Sequence, residues 1–321
     1  VTKELAARFH AAGVAMIPLA TGARWMVDEL ADRGPATEVV LGGEPRMEPL
    51  ADDGTTPHVA RLRTRIDGHA YPYLADHRVA GVPVVPVVMA LEWFARAAAE
   101  CRPDLVLAGL RDVKVLRGIR LDRFDAEGDW FDVTANEVSN GTGAVLALEL
   151  RRVGGPVHYT ATADLAEHAT AAPRAPISRD LPAWSRDPIY DGRVLFHGAS
   201  FQVIKTLDGI SDQGVDATLA STADAGWADE PWHTDPAALD GGLQLALLWS
   251  ERMLGGPSLP MGVSSVRTFR TGPPSGPVRA VLTGERRGRD KTVSDIVFVD
   301  AAGQVTTELR GVEAILRPDA T

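Results

Sequence analysis

A single cysteine, Cys101, occurs among the 321 residues. An internal disulfide is therefore excluded, and so is a cage of thiolates around a metal ion; the expected setting is reducing and cytoplasmic. Long apolar runs are also missing. The most apolar stretch, residues 79–94, is interrupted by Pro83 and Pro86 and carries Glu92, so it is too short and too broken to span a bilayer. No signal-peptide pattern is present, and a chain beginning at Val1 without methionine reads as a piece of something longer. Basic clusters are lacking and the formal net charge is -10, so nucleic acid is not an expected partner. Gly-rich nucleotide loops, His-Glu-x-x-His and Gly-x-Ser-x-Gly are all absent, and the 8 histidines do not fall at metal-ligand spacing. Kinase, dehydrogenase, hydrolase and metalloprotease readings therefore lose most of their weight.

What is present is an ordinary globular composition, 45% hydrophobic and 24% charged, long enough for one large domain or two packed halves. Residues 2–33 carry apolar positions at helical spacing and 38–41 read as a short strand. From residue 57 the pattern changes. A strand over 59–66 leads to Asp76-His77 and then to a helix begun by Pro86, which fits a first helical turn because its missing N–H costs nothing there. That helix runs to about residue 100 and is apolar nearly all round, which marks it as buried. Strands are expected over 113–120, 130–137, 144–151 and 157–165, with turns at Gly128, Asn140-Gly141 and Gly154-Gly155. Residues 166–188, rich in Ala, Pro and Arg, read as a linker.

The second half repeats the plan. Strands over 201–207 and 215–219 precede a second Pro-begun apolar helix, 236–253, and strands follow at 262–268, 278–285, 292–299 and 305–316. Each half is one buried helix and a run of antiparallel strands, an α+β arrangement satisfied by a sheet wrapped around a central helix.

One His and one Asp fall at matching places in the two halves. His77 precedes the first helix, and Asp240 sits about a turn inside the second, sharing a face with Gln244 four residues on. Gly241 and Gly242 each cost a helix about 1 kcal/mol against Ala, so their presence suggests close approach by backbone or ligand. An Asp among apolar neighbours has a raised pKa and can serve as an acid, and a neutral imidazole is the usual base near neutral pH. On periodicity alone, His77 reads more readily as a hydrogen-bonded core residue, and the helix dipole explains Asp240 as well as chemistry does. Trp93, Phe94, Trp249 and Cys101 read as core. Arg286, Arg287 and Arg289 read as a solvated turn, or as a patch for an acidic carrier protein.

The motifs around these residues carry a family resemblance. His77-Arg78-Val79-Ala80-Gly81-Val82-Pro83-Val84-Val85-Pro86 is similar to the His-x-x-x-Gly-x-x-x-x-Pro motif of polyketide and fatty acid synthase dehydratase domains. Asp240-Gly241-Gly242-Leu243-Gln244 resembles their Asp-x-x-x-Gln motif, and Leu259-Pro260 before a strand is similar to the stretch after their second helix. The resemblance implies a double hotdog fold, with an N-terminal hotdog over 46–165, a linker over 166–188 and a C-terminal hotdog over 189–321. It implies dehydration of a 3-hydroxyacyl group carried on the phosphopantetheine of an acyl carrier protein, with His77 as base at C2 and Asp240 as acid toward the C3 hydroxyl. Backbone N–H groups around Gly81 would polarise the thioester carbonyl. Pro86, His197, Gly198, Phe201 and Gln244 are the other residues it assigns to substrate. No metal or redox cofactor is implied; the partners are the carrier protein and neighbouring synthase domains, and a homodimer is common among such synthases.

Where the family carries Gly-Tyr-x-Tyr-Gly-Pro-x-Phe, this chain has Val194-Leu195-Phe196-His197-Gly198-Ala199-Ser200-Phe201. That form resembles the dehydratases of polyunsaturated fatty acid and enediyne-type synthases. His197 reads as a shape replacement for the family's Tyr, since His77 and Asp240 already supply both proton transfers; a second polar group in the tunnel is the alternative. Residues 1–45, with Gly13-Val14-Ala15-Met16-Ile17-Pro18 and Gly22-Ala23-Arg24-Trp25, look like the tail of a ketoreductase domain. Two rivals use the same features: a double hotdog isomerase or product-template-type cyclase shares the His and Asp pair, and a non-catalytic scaffold domain is weakened by the presence of both motif residues.

Overall fold

The computed structural model describes residues 58–317, apart from 80, 141, 142, 178, 186, 187, 228 and 229, and upstream of these only Ala23 and Val27, both helical. The expected helices over 2–33, the strand over 38–41 and the ketoreductase-like stretch lie outside the described residues. Val1–Thr55 and Thr56–Thr321 form separate compact units, and the sheet with its two central helices lies wholly in the second.

Strand β1 (Val59–Ile66) is followed by a small hairpin of β2 (Arg78–Val79) and β3 (Val82–Pro83), then helix α1 (Val87–Cys101). Strands β4 (Val106–Val115), β5 (Asp129–Asn140), β6 (Gly143–Arg152) and β7 (Val157–Ala166) complete the first half. The second holds β8 (Ile204–Ser211), β9 (Gly214–Leu219), helix α2 (Pro236–Leu254), β10 (Ser258–Thr268), β11 (Val278–Arg287), β12 (Lys291–Val299) and β13 (Val305–Leu316). Except for the small hairpin, all the strands join one antiparallel 11-stranded sheet in the order β1-β5-β6-β7-β4-β10-β13-β12-β11-β9-β8. The halves meet where β4 pairs with β10, Gly109 opposite Arg267 and Lys114 opposite Gly262. Helix α1 packs on β1 and β4 to β7, α2 packs on β8 to β13, and the two helices touch. This is the double hotdog.

The helices form where local chemistry and burial agree. Asp235 caps α2, its carboxylate accepting from the Ala238 N–H; Pro236 takes the first turn, and Gly255 ends the helix at φ 81°. Pro86 behaves differently from expectation. Its φ of -67° and ψ of 149° are extended, so it caps α1 and the helix begins at Val87. Gly242 explains itself by packing, since a Cβ there would overlap the buried ring of Phe298. The close approach inferred from sequence is therefore that of the sheet to the helix.

Four strands differ from expectation by three residues or more: β5 runs on to Asn140, β10 begins at Ser258 rather than at 262, and two others are displaced. The one expected over 113–120 is Val106–Val115. Its alternation is broken by Gly109 and by a bulge at Asp112, φ 54°, with a register shift against β7. Beyond Val115, the Leu116 and Arg117 N–H groups turn to the His158 carbonyl and leave the ladder. The strand expected over 201–207 begins only at Ile204, because Ala199–Phe201 form a 3-10 turn. The segment between the halves has no helix or strand from 167 to 198 among the described residues, yet it is pinned to the sheet. Arg179 donates to the Gln213, Val215 and Leu282 carbonyls, and the Ile210 N–H donates to the Pro182 carbonyl.

Candidate active site

His77 leaves the 3-10 turn Pro72–Asp76 with its N–H donating to the Leu74 carbonyl. Its own carbonyl accepts from Val84 N at 2.9 Å, and its Nδ1 lies 2.8 Å from the Val84 carbonyl oxygen. A carbonyl can only accept, so Nδ1 carries the hydrogen and Nε2 keeps the lone pair. The ring is buried against Phe196 and Phe201, with centroids at 5.2 and 5.0 Å. Burial disfavours the imidazolium and lowers the pKa to about 4, so the ring is neutral near pH 7.

Asp240 faces it from α2. The side chain is buried, and its Oδ2 accepts from Gln244 Nε2 at 2.7 Å, one helical turn on. Gln244 is held at both ends of its amide: Nε2 also donates to the Phe201 carbonyl at 2.8 Å, and Oε1 accepts from the Tyr190 hydroxyl at 2.9 Å. Burial raises the Asp240 carboxyl to about 7, against the opposing hydrogen bond from Gln244. Two groups therefore sit close together with their pKa values moved from normal in opposite senses, His77 neutral and Asp240 still partly protonated near pH 7.

His197 joins them. Its Nε2 is 3.6 Å from Asp240 Oδ2, its ring lies 5.4 Å from that of His77, and it stacks on Phe196 at 4.5 Å. The ring is buried, Nδ1 has no hydrogen-bond partner, and burial together with the nearby His77 lowers its pKa to about 3. The loop that carries it is tied to the residue before His77. Asp76 accepts from Ser200 N at 2.8 Å and Ser200 Oγ at 2.7 Å through its carboxylate, and from Gly198 N at 2.8 Å through its carbonyl. A Cβ at Gly198 would strike the Asp76 side chain, which is why that position has none.

The structure thus brings His77, His197, Phe201, Asp240 and Gln244 together, with Gly198 as the small residue that lets the loop close. Pro86 is buried at the start of α1. Gly81 occupies the exposed tip of the β2–β3 hairpin at φ 80°, its carbonyl accepting from Arg78. Sequence reasoning missed Asp76, Tyr190 and Phe196 as supports of the cluster. Asp76 stood next to His77 and was the easiest to find; Tyr190 lies in the irregular segment and reaches Gln244 only through the tertiary fold. Arg286 spends its guanidinium on the Met253, Gly288 and Arg289 carbonyls, so it closes a turn.

Residues 155–316, more than half of the chain, match the family described as polyketide synthase dehydratase N-terminal domain, and residues 50–141 match polyketide synthase dehydratase domain. The chain belongs to the polyketide synthase dehydratase family. This dehydratase is accordingly a hydro-lyase. It is 26% identical over 304 residues to a polyunsaturated fatty acid synthase subunit from Thraustochytrium sp. (strain ATCC 26185 / S-3), covering 90% of this chain and 10% of that protein. The dehydratase therefore spans about a tenth of the length of that curated relative. Its fold is similar to the dehydratase domain of a mycocerosic acid synthase-like polyketide synthase, with a TM-score of 0.63 at 20% identity, covering 81% of this chain and 92% of that one. It is also similar to a trans-acyltransferase polyketide synthase enoyl-isomerase, with a TM-score of 0.61 at 13% identity over 80% and 99% of the two chains. The shared fold does not by itself choose between these chemistries, which the residues of the site must do.

Proposed function

We propose that this dehydratase converts a 3-hydroxyacyl thioester, presented on the phosphopantetheine of an acyl carrier protein within a polyketide or polyunsaturated fatty acid synthase, to the 2-enoyl thioester and water. The observation that carries the reading is the opposed protonation of two adjacent buried groups: a neutral His77 whose Nε2 is free, and an Asp240 carboxyl held up to about 7. His77 Nε2 takes the proton from C2. Asp240 gives its proton to the departing C3 hydroxyl, and the C–O bond breaks with release of water. On this reading the thioester carbonyl, where negative charge develops, meets backbone N–H groups of the first turn of α1, since Gly81 lies at the exposed hairpin tip and the Val84 and Val85 N–H groups already donate to the His77 and Ile119 carbonyls. The enzyme is left with a protonated His77 and an ionised Asp240, and one proton passing from the first to the second restores the starting state. Both proton transfers are supplied by side chains, so the reaction needs no metal or redox cofactor.

The test is direct. A 3-hydroxyacyl carrier protein incubated with the enzyme loses the mass of one water and gains enoyl absorbance. Double-bond migration in an enoyl substrate, with no water lost from the 3-hydroxyacyl one, would favour the isomerase reading instead.

A further inference from the structure

The cluster contains one group more than dehydration requires. One ligating atom from each of His77, His197 and Asp240 lies within 4.8 Å of the other two, and all three side chains are buried. We propose that these residues form a three-ligand site for Zn2+, and that the bound ion inhibits the enzyme by occupying its base and its acid.

The spacing suits one ion. Zinc bonds to imidazole nitrogen and carboxylate oxygen are ~2.0–2.2 Å long, which places two ligands of a tetrahedral ion roughly 3.3–3.5 Å apart. His197 Nε2 and Asp240 Oδ2 are already 3.6 Å apart. All three ligand atoms lie within 4.8 Å of one another, so the third moves inward by up to about 1.5 Å to meet the same tetrahedral ion. The donor set selects the ion class: two imidazoles and a carboxylate favour zinc and its transition-metal neighbours, whereas Mg2+ and Ca2+ require oxygen.

Two of the three ligands are held by hydrogen bonds. The Val84 carbonyl on His77 Nδ1 fixes the tautomer that leaves Nε2 to bind, and Gln244 orients the Asp240 carboxylate. His197 differs: its Nδ1 is buried without a partner, so the ring is uncommitted and no acceptor fixes its tautomer. Three protein ligands leave a fourth position open to water. An ion so held takes the Nε2 lone pair that proton abstraction needs. It therefore acts as an inhibitor. Binding follows from the geometry alone; inhibition rests on the proposed dehydration.

The full chain, stripped with chelator, is titrated with Zn2+ against a chromophoric competitor and separately with Co2+, whose visible spectrum reports coordination number. We expect one ion held at this site, a Co2+ spectrum of four- or five-coordinate type, and binding at least ~10-fold weaker in each of His77→Ala, His197→Phe and Asp240→Asn. Circular dichroism checks that each variant is folded. His197→Gln serves as a second variant should His197→Phe fail to fold. Zinc binding that is undiminished in folded His197 and Asp240 variants, or a Co2+ spectrum of octahedral type, overturns the site. Turnover of a 3-hydroxyacyl thioester is followed in parallel, and it should fall as the site fills. A saturated enzyme that dehydrates at the metal-free rate overturns the inhibition, while metal-free enzyme with no dehydration counts against the proposed function and leaves the zinc titration to judge the site.

Discussion

Protonation at two side chains sets what the site can do, and both can be read by titration. On the proposed mechanism the active form has His77 neutral and Asp240 protonated. His77, lowered to about 4, loses its lone pair only in stronger acid; Asp240, raised to about 7, loses its proton above neutrality. The profile of kcat/KM against pH should therefore be level between about 4 and about 7 and fall on the alkaline side as Asp240 ionises. Because Gln244 hydrogen-bonds the carboxylate and pulls the Asp240 pKa down, Gln244→Leu should move the alkaline limb to higher pH; a limb that stays put would dissociate it from Asp240. His77→Ala should reduce turnover by about 10²-fold or more in a folded protein, since it removes the proposed base. The His and Asp were visible in the sequence as motif residues. Their pKa directions were visible only as a tendency of buried groups, because the burial itself is supplied by Phe196, Phe201 and the sheet.

At the scale of elements, loops and helix faces hold these side chains in register. Asp76 joins the turn before His77 to the loop after His197, through its carboxylate on Ser200. Asp76→Ala should leave the fold intact and reduce kcat/KM by about 10- to 100-fold through misplacement. Equal activity in the variant would show that the loop needs no such tie. In α2, helix propensity favours Ala over Gly by about 1 kcal/mol, while overpacking costs about 1–3 kcal/mol. At Gly242 the obstacle is the Phe298 ring, itself buried, whereas at Gly241 the nearest atoms are Leu219 and Val203 methyl groups at 3.0 Å. Gly242→Ala should thus be the more destabilising of the two by about 1 kcal/mol or more in urea unfolding. β1 and β6, with clean alternation, and α2, with its Pro start and apolar content, were legible from sequence almost to the residue. β4 was not, because Gly109 and the Asp112 bulge hide the alternation and only pairing with β7 and β10 defines the strand.

Across the whole molecule, the question is whether the two halves behave as one. The ladder is continuous through β4 and β10, and Thr268 Oγ1 adds a bond to the Leu107 carbonyl at 2.7 Å. A second tie crosses at the helices. Glu92, on α1 and fully buried, accepts from His233 N at 3.0 Å, Thr234 N at 2.8 Å and Thr234 Oγ1 at 2.7 Å, just ahead of α2, while Arg96 neutralises it. Nothing in the sequence pattern marked this residue beyond a carboxylate on an apolar helix, because its partners lie some 140 residues on. Removing it leaves buried donors and the Arg96 guanidinium without their acceptor, at a cost of about 3–5 kcal/mol. If the halves unfold together, that loss must appear equally in both. Hydrogen exchange of the full chain should therefore show α1 and α2 amides opening with the same free energy, and Glu92→Ala should lower both by the same amount. A loss confined to α1, with α2 protected as before, would mean that the double hotdog is two cooperative units sharing an edge.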